Sequence, residues 1–168
     1  MSITSVVNAQ NEHQGSSIHE LEGFKIIGIS ARIQNTDGKA VEAIEALWTK
    51  FWSEELMKKV PNKLSSDIYA LYTDYESDFT GAYTFIIGMQ VSAFDQVPEG
   101  FVTLEVGQDR YQEFVSKGKM PEAIVKTWTE IWADTTLQRT YHVDFTVHGE
   151  EYYMGDQAKV NTFISIKR

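Results

Sequence analysis

The sequence contains AIEALWTKFW at residues 43–52 and, 80 positions later, AIVKTWTEIW at residues 123–132. These two segments hold all four tryptophans of the 168-residue chain. A pattern that occurs only twice with so long a period is not typical of a solenoid, and it indicates two similar units packed in one domain. Because the seam between such units is a natural place for a concave site, we expect the function to lie there.

Both segments have the apolar spacing of an amphipathic helix. The large apolar side chains of the first segment fall on one face, and they are Ile44, Leu47, Trp48, Phe51 and Trp52. Glu45 falls outside this face. Asp37 or Thr36 is suited to cap the first helix, and Pro121 is suited to open the second. We therefore expect two main helices, the first about 18 to 20 residues long.

Runs typical of β-strands flank each helix in the same order. The first half has FKIIGISARI, with a short strand possible at 18–21, and then DIYALYTDY and GAYTFIIGMQV. The second half has GFVTLEV, RYQEFVS, RTYHVDFTVHG and KVNTFISIKR. Each half is thus ββαββ or βαββ, with TFII at 84–87 aligned to TFIS at 162–165. The pattern predicts an α+β fold: a duplicated βαββ unit with pseudo-twofold symmetry, an antiparallel sheet and helices on one face.

The domain boundaries follow from composition. Residues 1–17 are polar and lack periodicity, which indicates a flexible N-terminal arm. We expect residues 18–168 to form a single domain made of two repeats, at about 18–95 and 96–168. The start of the chain has no basic or apolar leader, and no later run is long enough for a membrane helix, so we expect a soluble, cytoplasmic protein.

Charge and residue types exclude several classes of function. The chain has 24 acidic and 15 basic residues, a formal net charge of -9, which argues against direct nucleic-acid binding. The absence of cysteine excludes disulfides, thiolate nucleophiles and cysteine-based zinc sites. The four histidines have no recognised metal spacing, so we expect no metal and no cofactor. We expect a monomer or weak dimer.

Candidate ligand-binding residues lie on strands with alternating faces. In YHVDFTVH, one face holds the polar residues His142, Asp144, Thr146 and His148. If Tyr69 is matched to Tyr141, the related face of the first half holds Ala70, Tyr72 and Asp74. Asp74 and Asp144 would then point toward one seam. The alternative is that this polar face meets solvent, as one side of an antiparallel sheet often does.

Aromatic rings beside a carboxylate suit a lipophilic cation, because the rings replace water while the acid supplies the counter-charge. Tyr72, Tyr83 and Trp128 are the candidates for an aromatic wall, with Asp74 or Asp144 as the acid. The alternative for the tryptophans is simple core filling, which is usual for large aromatics at this spacing on an amphipathic helix.

Three segments carry a resemblance to a known family: YALYTDYESDFTGAYTFIIGMQV, the helix with TWTEIW, and RTYHVDFTV. They resemble the effector-binding domain of AraC-type and multidrug-responsive regulators, also called the GyrI-like small-molecule-binding domain. The chain is more similar still to stand-alone integron cassette proteins that bind cationic drugs. The resemblance covers about residues 20–168, and it implies a duplicated βαββ fold and binding of lipophilic, cationic aromatic compounds in a cleft between the repeats.

The resemblance also implies a glutamate anchor after an Asp-Phe pair in the penultimate strand, where this sequence has Thr146. We therefore expect the same pocket, with Thr146 and His148 on its surface, but Asp144 or Asp74 as the anchor. The family leaves two alternatives: a hydrolase of strained electrophilic toxins, and a gyrase-inhibitor-like interaction protein. A threonine without an adjacent base is a poor catalytic group, so we expect no enzyme and assign no catalytic residue. A role in transcription regulation would need a separate DNA-binding regulator protein as partner.

Overall fold

Within residues 17–34, 38–78 and 80–168, which the computed structural model describes, eight strands and two α-helices follow one another. The first half contains β1 (Ser17–Leu21), β2 (Phe24–Gln34), α1 (Ala40–Ser53), β3 (Ile68–Thr73) and β4 (Ala82–Val91). The second contains β5 (Val102–Val106), β6 (Asp109–Lys117), α2 (Glu122–Ala133), β7 (Val143–His148) and β8 (Lys159–Ser165). The predicted α+β class with two main helices is confirmed. Of the arm expected at residues 1–17, Ser17 instead begins β1, and residues 1–16 lie outside the described residues, as do the caps Thr36 and Asp37.

Helix α1 is shorter than the sequence pattern predicts. It has 14 residues and ends at Ser53, because Glu55 has a left-handed backbone with φ 51° that no right-handed helix can continue through. A short 3₁₀ turn at Leu56–Lys59 then leads to Pro61, where the helical pattern was expected to stop. No helix in the described segments has the length and apolar character required to cross a membrane.

The strands form one sheet in the order β1-β6-β8-β7-β3-β4-β2-β5, and every neighbouring pair is antiparallel. Exchanging each strand with its counterpart in the other half reverses this order. The central pair consists of β3 and β7, one from each half, with Tyr72 opposite Asp144 and Ala70 opposite Thr146. The strand order therefore has the twofold symmetry that the repeated tryptophan segment predicts.

Both helices pack on the same face of the sheet, each mainly over its own half. Leu47 and Phe51 of α1 share a core with Phe85 of β4, whereas Ile131 of α2 packs with Ile164 of β8. The opposite face is buried because the sheet curls. The ring of Phe145 on that face lies 5.2 Å from Phe24 of β2 and 5.3 Å from Tyr111 of β6, which come from opposite sides of the central pair.

The alignment of TFII with TFIS is wrong in phase. Phe85 faces α1, but Phe163 lies on the other face of the sheet, stacked on Phe145 at 4.9 Å. The residue of β8 that faces a helix is Ile164. Because strand side chains alternate between faces, a shift of one residue exchanges the faces. The shared letters therefore do not mark equivalent positions.

Candidate functional site

A cavity of about 680 Å³ lies between α1 and α2, above the central strands. Its floor contains Ala70 and Tyr72 from β3 and Thr146 and His148 from β7. These residues lie on the helix-facing side of the sheet because they alternate with residues that pack on the far side, Leu71 on β3 and Phe145 on β7. The cavity thus lies at the seam between the two halves, as the repeat predicts.

The two walls of the cavity are formed by equivalent positions of the duplicated helical segments. Five lining residues of α1 recur on the other wall: Val41, Ile44, Glu45, Trp48 and Trp52. The other wall contains Pro121, immediately before α2, and Ile124, Val125, Trp128 and Trp132 of α2. Each residue of the first set has its counterpart 80 positions later. The tryptophans of each helix lie next to one another, with ring centroids 6.4 Å apart in α1 and 6.2 Å apart in α2. The seam therefore has two similar aromatic walls.

The expected aromatic residues lie together at this site. The ring of Tyr72 is 4.9 Å from Trp128 and 5.8 Å from Tyr83, and all three line the cavity. Burial raises the pKa of Tyr83 to about 12, and it also raises the pKa of Tyr72. Both phenols are therefore neutral near pH 7, so these rings present uncharged aromatic surface to the cavity.

Asp144 is placed differently from expectation. The residue is fully buried, and its carboxylate is already paired. Its Oδ1 accepts hydrogen bonds from the Ser165 backbone N–H at 2.8 Å and the Ser165 hydroxyl at 3.1 Å. Its Oδ2 accepts from the Tyr75 hydroxyl at 2.6 Å and from Nη2 of Arg139 at 2.7 Å. The acid thus lies behind the cavity surface, where Arg139 neutralises its charge.

Asp74 lies outside the cavity. Strand β3 ends at Thr73, and Asp74 is an exposed residue with a left-handed φ of 51°. Its carbonyl oxygen accepts a hydrogen bond from Nη1 of Arg32 at 2.6 Å. The alternation that would turn its side chain toward the seam stops one residue earlier, so the expectation that both acids point into the seam is wrong for Asp74.

Arg139 is a lining residue that sequence reasoning missed. Its side chain is 5% exposed, and its guanidinium carbon lies 4.3 Å from the ring centroid of Tyr141. Burial lowers the pKa of Arg139, but Asp144 and Tyr75 outweigh that effect, and the pKa is raised overall. Burial and Asp144 raise the pKa of Tyr75, so this phenol keeps the proton that it donates. The cavity floor therefore includes a charged but internally paired guanidinium.

Glu45 is the second missed residue. It is the single carboxylate among the described residues that line the cavity, although the apolar pattern of α1 places it off the main face. Its counterpart Val125 lines the opposite wall, so the two walls differ in charge. A signal was present in the sequence: on the 80-residue offset, Glu45 aligns with an apolar residue rather than a charged one.

His148 is held between two rings on the cavity floor. Its imidazole stacks on Tyr152 at 4.3 Å and on Trp48 at 5.1 Å. Burial lowers the pKa of His148 to about 4, so the ring is neutral near pH 7. Its Nε2 lies 3.1 Å from the Thr146 hydroxyl, which corrects the expectation that this threonine has no adjacent base. Tyr152 and Tyr153, from the connection before β8, also line the cavity and were not expected.

The arrangement suits an uncharged or positively charged aromatic compound. Its lining is mostly aromatic and aliphatic, with Glu45 as an acid and the charge of Arg139 cancelled by Asp144. In the part of the chain that the structure describes, no group of three or more histidine or acidic side chains is placed to hold a metal ion.

Comparisons with known proteins agree with this geometry. The family model of the integron-associated effector binding protein matches residues 17–166. Putative transcriptional regulator protein YobU of Bacillus subtilis (strain 168) is 29% identical over 157 residues, which are 91% of this chain and 98% of that protein. An integron cassette protein from the mobile metagenome of Vibrio cholerae is 30% identical, with a TM-score of 0.72 over 92% of this chain and 97% of its own.

A further solved structure, SAV2435 bound to tetraphenylphosphonium, has a TM-score of 0.76. Its sequence is 12% identical, and the match covers 90% of this chain and 93% of that one. At this identity the likeness concerns the fold. It agrees with the expected effector-binding architecture.

Proposed function

Because this chain belongs to the family of integron-associated effector binding proteins, we propose that it is a small-molecule-binding module whose ligand is a lipophilic aromatic cation held between α1 and α2. The observation that carries this proposal is the composition of the cavity. Aromatic rings from both halves surround a space in which Glu45 is the acidic lining residue among those described. The charge of Arg139, which also lines this space, is neutralised by Asp144. The net charge of this group of residues is negative.

The cavity has the size and surface that such a ligand needs. Small-molecule sites in proteins measure roughly 300 to 1,000 Å³ and are mostly apolar with a few polar groups, and the cavity here is about 680 Å³. Ring faces attract a cation by on the order of 0.5 to 2 kcal/mol beyond simple burial. Tyr72, Tyr83, Trp128, Thr146 and His148 are the residues that we assign to ligand contact. SAV2435, which shares the fold, is bound to a cation of this class.

We assign the counter-charge to Glu45 instead of Asp144 or Asp74. Asp144 already has a cation within 2.7 Å, and Asp74 lies outside the cavity. Glu45 lies in an exposed position on α1, where water screens its charge. Its contribution should therefore be modest, about 0.5 to 1 kcal/mol.

The cavity supports binding better than catalysis. The Thr146 hydroxyl and His148 resemble a nucleophile with its base, but a histidine with a pKa of about 4 is a weak base near pH 7. Exposed aromatic side chains such as Trp52, Trp132 and Tyr153 could form the contact surface of an interaction protein. All three line the cavity, however, so ligand binding explains their exposure without a protein partner. A role in transcription regulation remains part of the proposal, through a separate DNA-binding partner.

The proposal is tested with two probes of matched shape and opposite charge, tetraphenylphosphonium and tetraphenylborate. Calorimetric titration of the wild-type protein should give clear binding of the phosphonium and at least about tenfold weaker binding of the borate, a difference of about 1.4 kcal/mol. Quenching of tryptophan fluorescence should follow the same order, because all four tryptophans line the cavity.

Two variants separate the cavity from general surface charge. Glu45→Gln should weaken phosphonium binding about two- to fivefold. Glu130→Gln removes the same charge from an exposed position of α2 outside the cavity, and it should leave binding unchanged. Equal affinity of the wild-type protein for both probes would refute the cationic preference, and equal loss in both variants would refute the role of Glu45.

A further inference from the structure

Arg139 has the surroundings of a bound cationic ligand. Its guanidinium carbon lies 4.3 Å from the ring centroid of Tyr141, 5.9 Å from that of Tyr75 and 6.0 Å from that of Trp128. Rings at such distances attract guanidinium and quaternary ammonium groups, and a carboxylate strengthens the attraction. Here the carboxylate is Asp144, whose Oδ2 accepts a hydrogen bond from Nη2 of Arg139 at 2.7 Å. We call these four residues around Arg139 the floor cage.

The floor cage holds the guanidinium without satisfying all of its donors. Nε and Nη1 of Arg139 are buried and have no hydrogen-bond partner among the described residues. A buried arginine with a purely structural role usually has its N–H groups paired. In the floor cage, Nη2 alone has partners, Asp144 at 2.7 Å and the Tyr75 hydroxyl at 3.5 Å, and ring faces surround the rest of the group. A protein holds a small cationic ligand in a similar way.

Tyr141, whose ring lies nearest to the guanidinium, has an unusual backbone conformation. Its φ is 59°, in the left-handed region that is unfavourable for a bulky aromatic residue. Strand β7 begins only at Val143, so Tyr141 does not follow the strand alternation. Its ring instead lies against the guanidinium and, at 5.3 Å, against Tyr75.

From these contacts we infer that Arg139 is a specificity-determining residue, whose guanidinium occupies a cation subsite at the cavity floor and excludes ligand cations from it. The inference rests on the proposed function, because it concerns the same cavity. The cationic group of a ligand is therefore placed toward Glu45, away from Asp144. A variant without the guanidinium gains a second cation subsite formed by the vacated floor cage.

Removal of the Arg139 side chain tests this inference directly. Since Arg139 lines the cavity, the space left by Arg139→Ala is continuous with it and open to ligands. Methylguanidinium at about 20 mM, with sodium chloride at equal ionic strength as reference, should raise the Tm of Arg139→Ala and leave that of the wild-type protein unchanged. Tetraphenylphosphonium should bind Arg139→Ala about tenfold more tightly than wild type, because Asp144 is then unpaired.

Two further variants provide the controls. Arg139→Lys keeps a cation in the floor cage and should not respond to methylguanidinium. Arg139→Ala combined with Asp144→Asn removes both charges and should lose the response. A response of Arg139→Ala no greater than that of wild type, or one that persists in the double variant, would overturn the inference.

If Arg139→Ala does not fold alone, refolding in methylguanidinium decides the question. Recovery of native tryptophan fluorescence supports the inference, and failure to recover overturns it. The outcome is distinct from that of the proposed function, because the wild-type protein can bind tetraphenylphosphonium whether or not the floor cage accepts methylguanidinium.

Discussion

Asp144 and Glu45 carry the same charge in very different surroundings. Asp144 is fully buried with four hydrogen bonds, whereas Glu45 is exposed on the wall of the cavity. A buried charge is tolerated only when it is paired and hydrogen-bonded, so Asp144 contributes chiefly to the integrity of the floor. An exposed acid loses little on folding and remains available to a ligand.

Loss of the Asp144 charge should therefore act first on stability. Asp144→Asn leaves the buried Arg139 guanidinium without its counter-charge, and we expect the free energy of unfolding to fall by about 3 to 5 kcal/mol. Urea denaturation measures this change. Glu55→Gln removes one partner of the exposed ion pair with Lys58, and it should cost under about 1 kcal/mol. An unchanged stability of Asp144→Asn would show that the floor pair is dispensable.

His148 gives the stability a defined pH dependence. Burial lowers its pKa from the ordinary 6.5 to about 4, so the unfolded chain binds a proton at this residue before the folded protein does. Stability from neutral His148 is present above pH 6.5 and is lost as the pH falls toward 4. Between pH 7 and 4, wild type should lose about 3 kcal/mol more than His148→Gln in urea denaturation. Parallel pH curves for the two proteins would contradict this.

At the scale of single residues, the sequence predicted ring positions better than charge positions. Tyr72 and Trp128 lie on regular elements, where spacing alone determines the face, and both line the cavity. Arg139 lies in the irregular segment before β7, where no periodicity applies, and its guanidinium lies against Tyr141, whose backbone is left-handed. Asp74 was misplaced because the end of β3 cannot be read from alternation.

Among the elements, helices were predicted more accurately than the phase of strands. The apolar spacing of α1 and α2 spans several turns, so an error of one residue changes little. In β4 and β8, an error of one residue exchanges the two faces, which is why Phe85 and Phe163 were wrongly matched. Both faces of β4 and β8 carry packed apolar side chains: Phe85 and Ile86 lie on opposite faces of β4, and Ile164 and Phe163 lie on opposite faces of β8. Hydrophobicity alone therefore could not set the phase.

Strands β2 and β4 approach each other closely at a pair of glycines. Gly28 lies opposite Gly88, and a Cβ on Gly88 would lie 2.6 Å from the Ile27 carbonyl oxygen and 2.8 Å from Cγ2 of Ile26. The nearest obstacle is backbone, which cannot move aside without separating the strands. The same strand β4 carries Tyr83 to the cavity.

Gly88→Ala should therefore destabilise the protein by about 2 kcal/mol or more. Thermal and urea denaturation would measure the loss. Gly107→Ala is the matched control, because a Cβ at Gly107 meets nothing within 4 Å, and we expect little change there. Similar stability of the two variants would show that β2 and β4 can separate freely at this point.

The whole molecule is organised about the seam between its halves. Exchanging the two halves leaves the order of the strands the same, read from the opposite edge of the sheet. Five lining positions of the α1 wall recur 80 residues later on the opposite wall. The sequence repeat was enough to predict this arrangement, since the four tryptophans mark both walls. It could not predict that the symmetry is broken in charge, with Glu45 on one wall and Val125 on the other.

This broken symmetry allows a test of the whole arrangement. Val125 is 58% exposed and lies in the first turns of α2, where an acid is compatible with solvent and with the helix dipole. Tetraphenylphosphonium is a suitable probe because its four phenyl groups are equivalent, so it can approach an acid on either wall. Glu45→Val should weaken its binding, and adding Val125→Glu should restore most of the lost affinity.

A nearby acid outside the cavity provides the control for this exchange. Thr129→Glu introduces the same charge at an exposed position of α2 that does not line the cavity, and in the Glu45→Val background it should not restore binding. Calorimetric titration of the four proteins compares them directly. If Thr129→Glu restores binding as well as Val125→Glu does, general attraction of cations by an acidic surface accounts for the affinity. If neither Val125→Glu nor Thr129→Glu restores binding, an acid on the α2 wall cannot replace Glu45. The two walls would then differ in how they contact the ligand, despite the duplication.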